Sequence, residues 1–335
     1  MREVLLILTL AMLGCSFPAQ VTLGTPTQTP TPEAVPVFTQ TPPSTAEPGT
    51  DQNPLILALG PSQRPTEEVI AAGEVIAAYM QARTGYRIVT VIPASEASQV
   101  DALSKGNAHI VVLSPYGYVL AKEGNLVTAL LAQVRDGKIF YGAQFIANNG
   151  KDFASYYDSA RDENTTDAVT AFKQFQDKKA CWSDDASPSG YVVPLGVLNQ
   201  AQVQIRSGAF LGGQPSVVRA VYADDICDFG ATFVDARDSA VLEADYPDVM
   251  EKILVVWRIP AIIPYANISI TNSLPFEMRR VIQRAFIDLM LTPEGKSAMQ
   301  TVYGFDEVQV VEDAAYAEFV NTVKASGLDL PTLIK

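Results

Sequence analysis

The residues best suited to chemistry lie in the run CWSDDASPSGYVVPLGVL at 181–198. A strand-like piece ends there in a Ser-Pro-Ser-Gly turn, Ser187 to Gly190, and runs into an apolar stretch of helical character. Backbone N–H groups in the first turn of a helix have no intrahelical partner, and the helix field favours negative charge at that end. Ser187, Ser189 and the amides around Gly190 can therefore cradle a tetrahedral oxyanion without any lysine or arginine. The plainer alternative is that Ser187 or Ser189 only caps the helix. Catalysis finds less support in the same residues. His109 is the sole histidine, sits between Ala108 and Ile110 in an apolar strand, and reads as a packed, hydrogen-bonded side chain. No G-x-S-x-G elbow or Ser/Lys pair accompanies Ser189. With one histidine and three cysteines spread over positions 15, 181 and 227, no metal-ligand cluster can be assembled, and no cofactor is expected.

These residues need a scaffold to position them. The 335-residue chain is 48% hydrophobic and 18% charged, enough for a large core and close to the size at which one core divides into two. From Pro54 onward short apolar runs alternate with helical ones. LILALG at 55–60, a helix over about 66–83, YRIVTVI at 86–92, a helix near 96–105, AHIVVLS at 108–114 and VTALLAQV at 127–134 predict an α/β first lobe. KIFYGAQFIA at 138–147 reads as a strand leaving that lobe, and 148–169, with Tyr156 and Tyr157, as a polar surface excursion. A second lobe follows with KACWSD at 179–184, helices near 191–200 and 215–224, and ICDFGATFV at 226–234. The apolar run at 252–270, broken by Pro260 and Pro264, is expected to cross back as an extended segment. Helices at about 275–291, 293–300 and 311–324 are expected to pack on the first lobe. The expected division is 54–140 with 265–335 for lobe 1 and 141–264 for lobe 2, hinged by two crossing segments. Trp182 and Trp257 read as core residues before cleft residues.

Residues 1–14, MREVLLILTLAMLG, form an apolar export segment too short for an ordinary membrane span. The MLGC stretch resembles the lipobox of bacterial lipoproteins, which implies a lipid on Cys15. Residues 21–50 hold nine threonines and seven prolines with only Glu33 and Glu47 charged, so 15–53 is expected to be a disordered linker between anchor and body. A net charge of -13 without a Lys/Arg-rich run argues against a nucleic-acid partner. In an exported protein Cys181 and Cys227 can be two buried thiols, the first reading, or a disulfide, since sequence supplies no Cβ separation.

The order of these segments resembles that of the periplasmic phosphonate-binding proteins of ABC importers, a branch of the type II solute-binding proteins, over about residues 54–325. The resemblance rests on LALGPSQ at the opening, TGYRIVTV, SPYGYVLA at 114–121, FQDKKACWSD at 175–184, VVRAVYADDICDFGATF at 217–233 and RIPAIIPY at 258–265. Two positions depart from it. Pro188 stands where the family's turn carries a hydroxyl and a backbone donor, and Gln214–Pro215 stands where a histidine is frequent. The resemblance implies a two-lobed α/β fold of the type II periplasmic-binding-protein class and a non-catalytic role. A phosphonate, phosphite or phosphate would be captured between the lobes and delivered to ABC permease subunits. The location would be the extracytoplasmic face of the membrane, anchored in the cell envelope through the N-terminal lipid. Ser187, Ser189 and Gly190 would grip the ligand. Tyr141 would be a cleft tyrosine, otherwise a half-buried strand aromatic, and Asp228 a ligand-facing aspartate, otherwise a solvated or capping one. A ligand-sensing or adhesion module of the same fold is the main alternative, an exported hydrolase the more distant one.

Overall fold

The computed structural model describes residues 46–61 and 66–334. The leader, Cys15 and most of the Thr/Pro-rich stretch lie outside the described residues. Along the chain come β1 (Leu55–Ala58), α1 (Thr66–Thr84), β2 (Ile88–Val91), α2 (Glu96–Ser104), β3 (Ile110–Leu113), α3 (Pro115–Glu123) and β4 (Val127–Val134). Then follow β5 (Phe140–Asn148), the small hairpin β6 (Tyr157–Asp158) and β7 (Glu163–Asn164), α4 (Ala168–Phe172), β8 (Lys179–Trp182), α5 (Val193–Gln200), β9 (Arg206–Phe210), α6 (Gln214–Ala223) and β10 (Phe229–Phe233). After the short helices α7 (Ala240–Glu243) and α8 (Val249–Lys252) come β11 (Ile253–Pro264), β12 (Asn267–Thr271), α9 (Phe276–Met290), α10 (Pro293–Tyr303), β13 (Glu307–Val310) and α11 (Ala317–Ala325).

These strands build two mixed sheets with flanking helices, the two-lobed α/β architecture expected from the alternating pattern. One sheet has the order β13-β4-β12-β3-β1-β2, the other β11-β5-β10-β8-β9. In the first, β1 runs parallel to β2 and β3, and β12 is antiparallel to both β3 and β4. Strands covered on both faces need continuous apolar sequence, and Leu55, Leu57, Ile110 and Leu113 are fully buried accordingly. Helices α1, α9 and α10 cover this sheet through Ile76, Met80, Phe286 and Met299. The second lobe packs around Phe145, Phe172, Phe175, Phe229, Trp182 and Trp257, so both tryptophans are core residues. Phe175 and Phe229 stack with ring centroids 4.1 Å apart.

β5 and β11 leave and re-enter the second sheet as an antiparallel pair whose register shifts between Ile259 and Ile263, where Pro260 offers no N–H to the ladder. The cysteines are joined: Cys181 and Cys227 form a disulfide with Cα atoms 5.7 Å apart. The first reading, two thiols, is thus corrected: β8 and β10 are parallel neighbours, and the chain entering β10 brings Cys227 next to Cys181 although the ladder itself pairs Cys181 with Gly230.

Two segments depart from their expected places. At the end of the stretch expected to be a linker, Gly49 closes a turn with Asn53 and accepts the N–H of Arg87 at 2.7 Å, against the ring of Tyr86. Gly49 has φ +84, and an added Cβ would lie 2.8 Å from that ring, so the turn needs glycine. Helix α11, expected on the first lobe, lies against α5 and puts Phe319 and Val323 into the second lobe's core. The approach is close because α5 offers Gly196, where a Cβ would meet Thr322 O at 2.1 Å. Tyr316, just before α11, still packs on Tyr118 of the first lobe, so the chain passes between the lobes a third time.

Candidate functional site

The site is built where β8 ends. Ser183, the next residue, is held by its N–H to Gly190 O (3.2 Å) and by its carbonyl to Gly212 N (2.7 Å). Ser187 is an N-cap in extended conformation whose Oγ accepts the N–H of Gly190 at 3.0 Å, with Pro188 at the first helical position. Residues 188–192 form one π-helical turn, with Val192 N reaching Ser187 O, before α5 begins. Such turns are rare and concentrate at functional sites. Gly190 is required by packing: a Cβ there would lie 2.0 Å from Ser183 Oγ and 2.9 Å from Ser187 Oγ. The hydroxyls of Ser183 and Ser187 therefore converge on the backbone of Gly190, with Ser189 next to it in the chain.

Gln214, the first residue of α6, ties two of these serines together. Its Nε2 donates to Ser187 Oγ (3.3 Å) and Ser189 Oγ (3.2 Å), while its Oε1 accepts the N–H of Phe233 at the end of β10 (2.9 Å). Ser187 is 8% and Ser189 3% exposed. Tyr141, near the start of β5, lies beside Ser189, and burial pushes its phenol up to about 12, with the Ser189 hydroxyl acting in the opposite direction. Its ring stacks on Tyr265 with centroids 5.1 Å apart, and Arg135 lies 5.0 Å over Tyr265.

Tyr116 in the first turn of α3 brings in the first lobe. Its hydroxyl is buried without a protein partner, and burial, followed by the charges of Tyr141 and Asp184, pushes its ionisation well up. Ser183 Oγ is likewise buried without a partner. Unsatisfied buried hydroxyls are costly and call for an occupant. A cavity of about 540 Å³ adjoins the site at the crossing strands, lined by Tyr141, Tyr265, Tyr157, Arg135, Lys138 and Arg258.

Ser187, Ser189, Gly190 and Tyr141 are thus brought together. Asp228 is not brought to them. It precedes β10 at the opposite end of the strand from Phe233, accepts Lys179 N and Arg206 Nη2 at 2.7 Å each, and pairs with Lys151 at 3.4 Å. Burial alone would raise its carboxyl, but these donors hold it below the usual carboxylate range. The carboxylate at the other end of β10 is Asp235, bonded to Arg237 (2.6 Å) and Gln144 (2.7 Å). Tyr116 and Ser183 escaped sequence reasoning. Tyr116 was visible only within SPYGYVLA, and Gln214 only as a departure from a family habit. His109 accepts the N–H of Ile56 at 3.0 Å through Nδ1, and burial lowers its pKa, a packed residue as expected. Among the described residues no three His, Cys, Asp or Glu side chains cluster as metal ligands, and no helix is long and apolar enough to cross a membrane.

Two mixed α/β lobes joined by crossing strands have the type II architecture of bilobed solute-binding proteins. The sequence model of one family, described as the periplasmic substrate-binding protein of phosphonate ABC transporters, matches residues 60–316, and the chain belongs to that family. Over 175 residues it is 26% identical to the phosphate-import protein PhnD of Mycolicibacterium smegmatis. That match spans 49% of this chain and 50% of the relative, about half the length of each. Among solved structures it is similar to XAC2383 from Xanthomonas citri. Bound to chloride ion, that protein superposes with a TM-score of 0.58, and bound to ATP with 0.55. Identity is 14% in both cases, covering 82% of this chain and 98% of that one.

Proposed function

We propose that this protein is an extracytoplasmic solute-binding component of an ABC importer that captures a phosphorus oxyanion, a phosphonate, phosphite or phosphate, between its lobes. The observation that carries the reading is the convergence of the Ser187 and Ser189 hydroxyls, tied together by Gln214 at a helix N-terminus, with Tyr141 beside Ser189 and the buried, unpartnered hydroxyl of Tyr116 close to Tyr141. Neutral donors fixed in place hold an oxyanion without paying for the desolvation of a protein cation. Closure around the ligand follows if the closed arrangement binds it more tightly than the open one, and the closed shape is what permease subunits would recognise. The role is binding rather than catalysis. We further infer that Cys15, outside the described residues, carries the lipid that keeps the body at the outer face of the membrane. The lobe division at 54–140 with 265–335 and at 141–264 is supported by sheet membership, although α11 completes the second lobe's core.

The test is a thermal-shift panel with phosphate, phosphite, methylphosphonate, aminoethylphosphonate and sulfate. A ligand present at about 100 times its Kd adds roughly 2.7 kcal/mol of stability, so a phosphorus oxyanion should raise the Tm. Ser189→Ala should weaken that ligand roughly 10- to 100-fold, the value of one hydrogen bond to a charged group, with the unliganded fold intact. A panel in which no phosphorus oxyanion shifts the melting temperature and an unrelated organic solute does would overturn the reading.

A further inference from the structure

The serine turn accounts for a small oxyanion, whereas the cavity of about 540 Å³ beside it has room for a larger organic group. Tyr141 belongs to both, since it lies beside Ser189 and also lines the cavity. From its ring the wall continues to Tyr265, stacked at 5.1 Å, and on to Arg135, which sits 5.0 Å over the Tyr265 ring. Pro260 and Ala261 of the crossing strand β11 add apolar surface.

The charges around this cavity are unevenly committed. Asp162 takes Arg258 and the Tyr157 hydroxyl, each at 2.5 Å, and Glu163 faces Arg161 at 3.6 Å. Among the described residues, that leaves Asp136 as the one carboxylate of the lining without an ion pair. Arg135 and Lys138 flank the β4–β5 turn and make neither an ion pair nor a side-chain hydrogen bond with any described residue. Arg258 holds one donor in reserve, because its Nε is buried without an acceptor. In a chain of net charge -13, two uncommitted cations and an unanswered guanidinium N–H thus line one cavity against a single uncommitted carboxylate. Buried donors without partners call for an acceptor.

We propose that this cavity is a second subsite for the same ligand, and that the ligand is a two-ended acid. Its phosphoryl head rests on the serine turn, an organic spacer runs over the Tyr141–Tyr265 pair, and a second acidic group reaches Arg135 and Lys138. The inference rests on the reading of the turn as an oxyanion site and adds what the oxyanion is attached to. The aromatic wall stabilises a spacer by burying its methylenes. The two steps of about 5 Å from Tyr141 to Arg135 call for several atoms in that spacer. A lone oxyanion leaves both cations unused, and an amine at the far end meets them as like charges.

The experiment is calorimetric titration of the full chain with methylphosphonate, with phosphonoacetate, phosphonopropionate, phosphonobutyrate and phosphonovalerate, and with aminoethylphosphonate. One member of the acid series should bind roughly 10-fold more tightly than methylphosphonate, the joint effect of buried methylenes and two partly screened charge pairs. Its carboxamide should lose most of that gain, and aminoethylphosphonate should show none. The phosphate monoester of a hydroxy acid of the same length tells whether the head is joined through oxygen or carbon; a gain with either supports the subsite. Lys138→Ala, a change at an exposed side chain, should weaken the best acid roughly 3-fold and leave methylphosphonate unchanged, and Lys138→Arg should restore the acid. Added salt should shrink the gain as it screens the exposed cations. The subsite is refuted, with the oxyanion site left standing, if no acid binds more tightly than methylphosphonate, if the carboxamide binds as well as the acid, or if Lys138→Ala weakens both ligands alike. Failure of every phosphorus compound to bind refutes the functional reading itself.

Discussion

Gly190→Ala adds one methyl group at the point where the candidate site is tightest. The new Cβ would lie 2.0 Å from Ser183 Oγ, 2.8 Å from Ser183 Cβ and 2.9 Å from Ser187 Oγ. Ordinary contact begins near 3.4 Å, so the Ser183 hydroxyl must retreat by about 1.4 Å. Rotating its side chain cannot satisfy this, because Cβ itself is too close and the backbone of Ser183 is bonded on both sides, to Gly190 O and Gly212 N. The turn must open. Overpacking of this kind costs about 1 to 3 kcal/mol, and for a body of this size each kcal/mol moves the Tm by roughly 2 to 4 °C. The opening also pulls Gly190 N from Ser187 Oγ, so ligand affinity should fall roughly 10-fold or more. Scanning calorimetry and calorimetric titration with methylphosphonate read the two effects separately. Gly213→Ala is the companion, since its methyl would meet only Pro215 Cδ at 4.0 Å; it should cost no more than about 1 kcal/mol, the value of a changed N-cap. If Gly190→Ala melts with the unmodified protein, the packing argument is wrong. If it melts lower but binds methylphosphonate unchanged, the cradle is elsewhere.

Two further outcomes concern the disulfide and a buried carboxylate. The Cys181–Cys227 bridge closes a loop of 46 residues; in the chain-entropy picture that contributes about 4 kcal/mol, so the Cys181→Ala/Cys227→Ala pair should melt roughly 8 °C lower, and a shift under about 2 °C would reject that account. Asp313 is buried enough to raise its carboxyl, but Ala129 N, Lys122 and Tyr118 donate to it and hold it below the ordinary value of 3.8. A depressed folded-state value gives stability that is present above the unfolded value and lost as pH falls through the folded one. Asp313→Asn should therefore lower the Tm at neutral pH and flatten its decline between about pH 5 and about pH 3. An acid profile identical to that of the unmodified protein would show that this carboxylate contributes nothing to it.

The contrast between Asp228 and Asp235 shows where reading by sequence position stops. Both flank the same strand, and along the sequence either could face a cleft. β10 has five residues, and at about 3.3 Å each its ends are roughly 16 Å apart, so choosing the wrong flank moves a carboxylate to the far side of the lobe. The Ser-Pro-Ser-Gly turn was legible because its residue types announce a helix start whatever surrounds it. Short apolar runs such as Leu55–Ala58 and Ile110–Leu113 were legible because strands covered on both faces admit little else. Tyr116 and Ser183 were not legible, since their interest lies in hydroxyls left unpaired when distant segments meet. The disulfide needed the adjacency of β8 and β10, which no local pattern encodes. Gly196 was the available hint for α11, a small residue inside an apolar helix, but a glycine there does not say which neighbour approaches.

That last contact bears on the order in which the molecule can be finished. Phe319 and Val323, with Leu330 and Leu333 just beyond, share one apolar cluster with Phe145, Phe229 and Val193, residues made more than 80 positions earlier. During synthesis the first sheet gains its last strand with β13, while α5 still shows a bare apolar face where Gly196 awaits Thr322. The second lobe, although its sheet is drawn wholly from the middle of the chain, closes its core last, with residues from the final twentieth of the sequence.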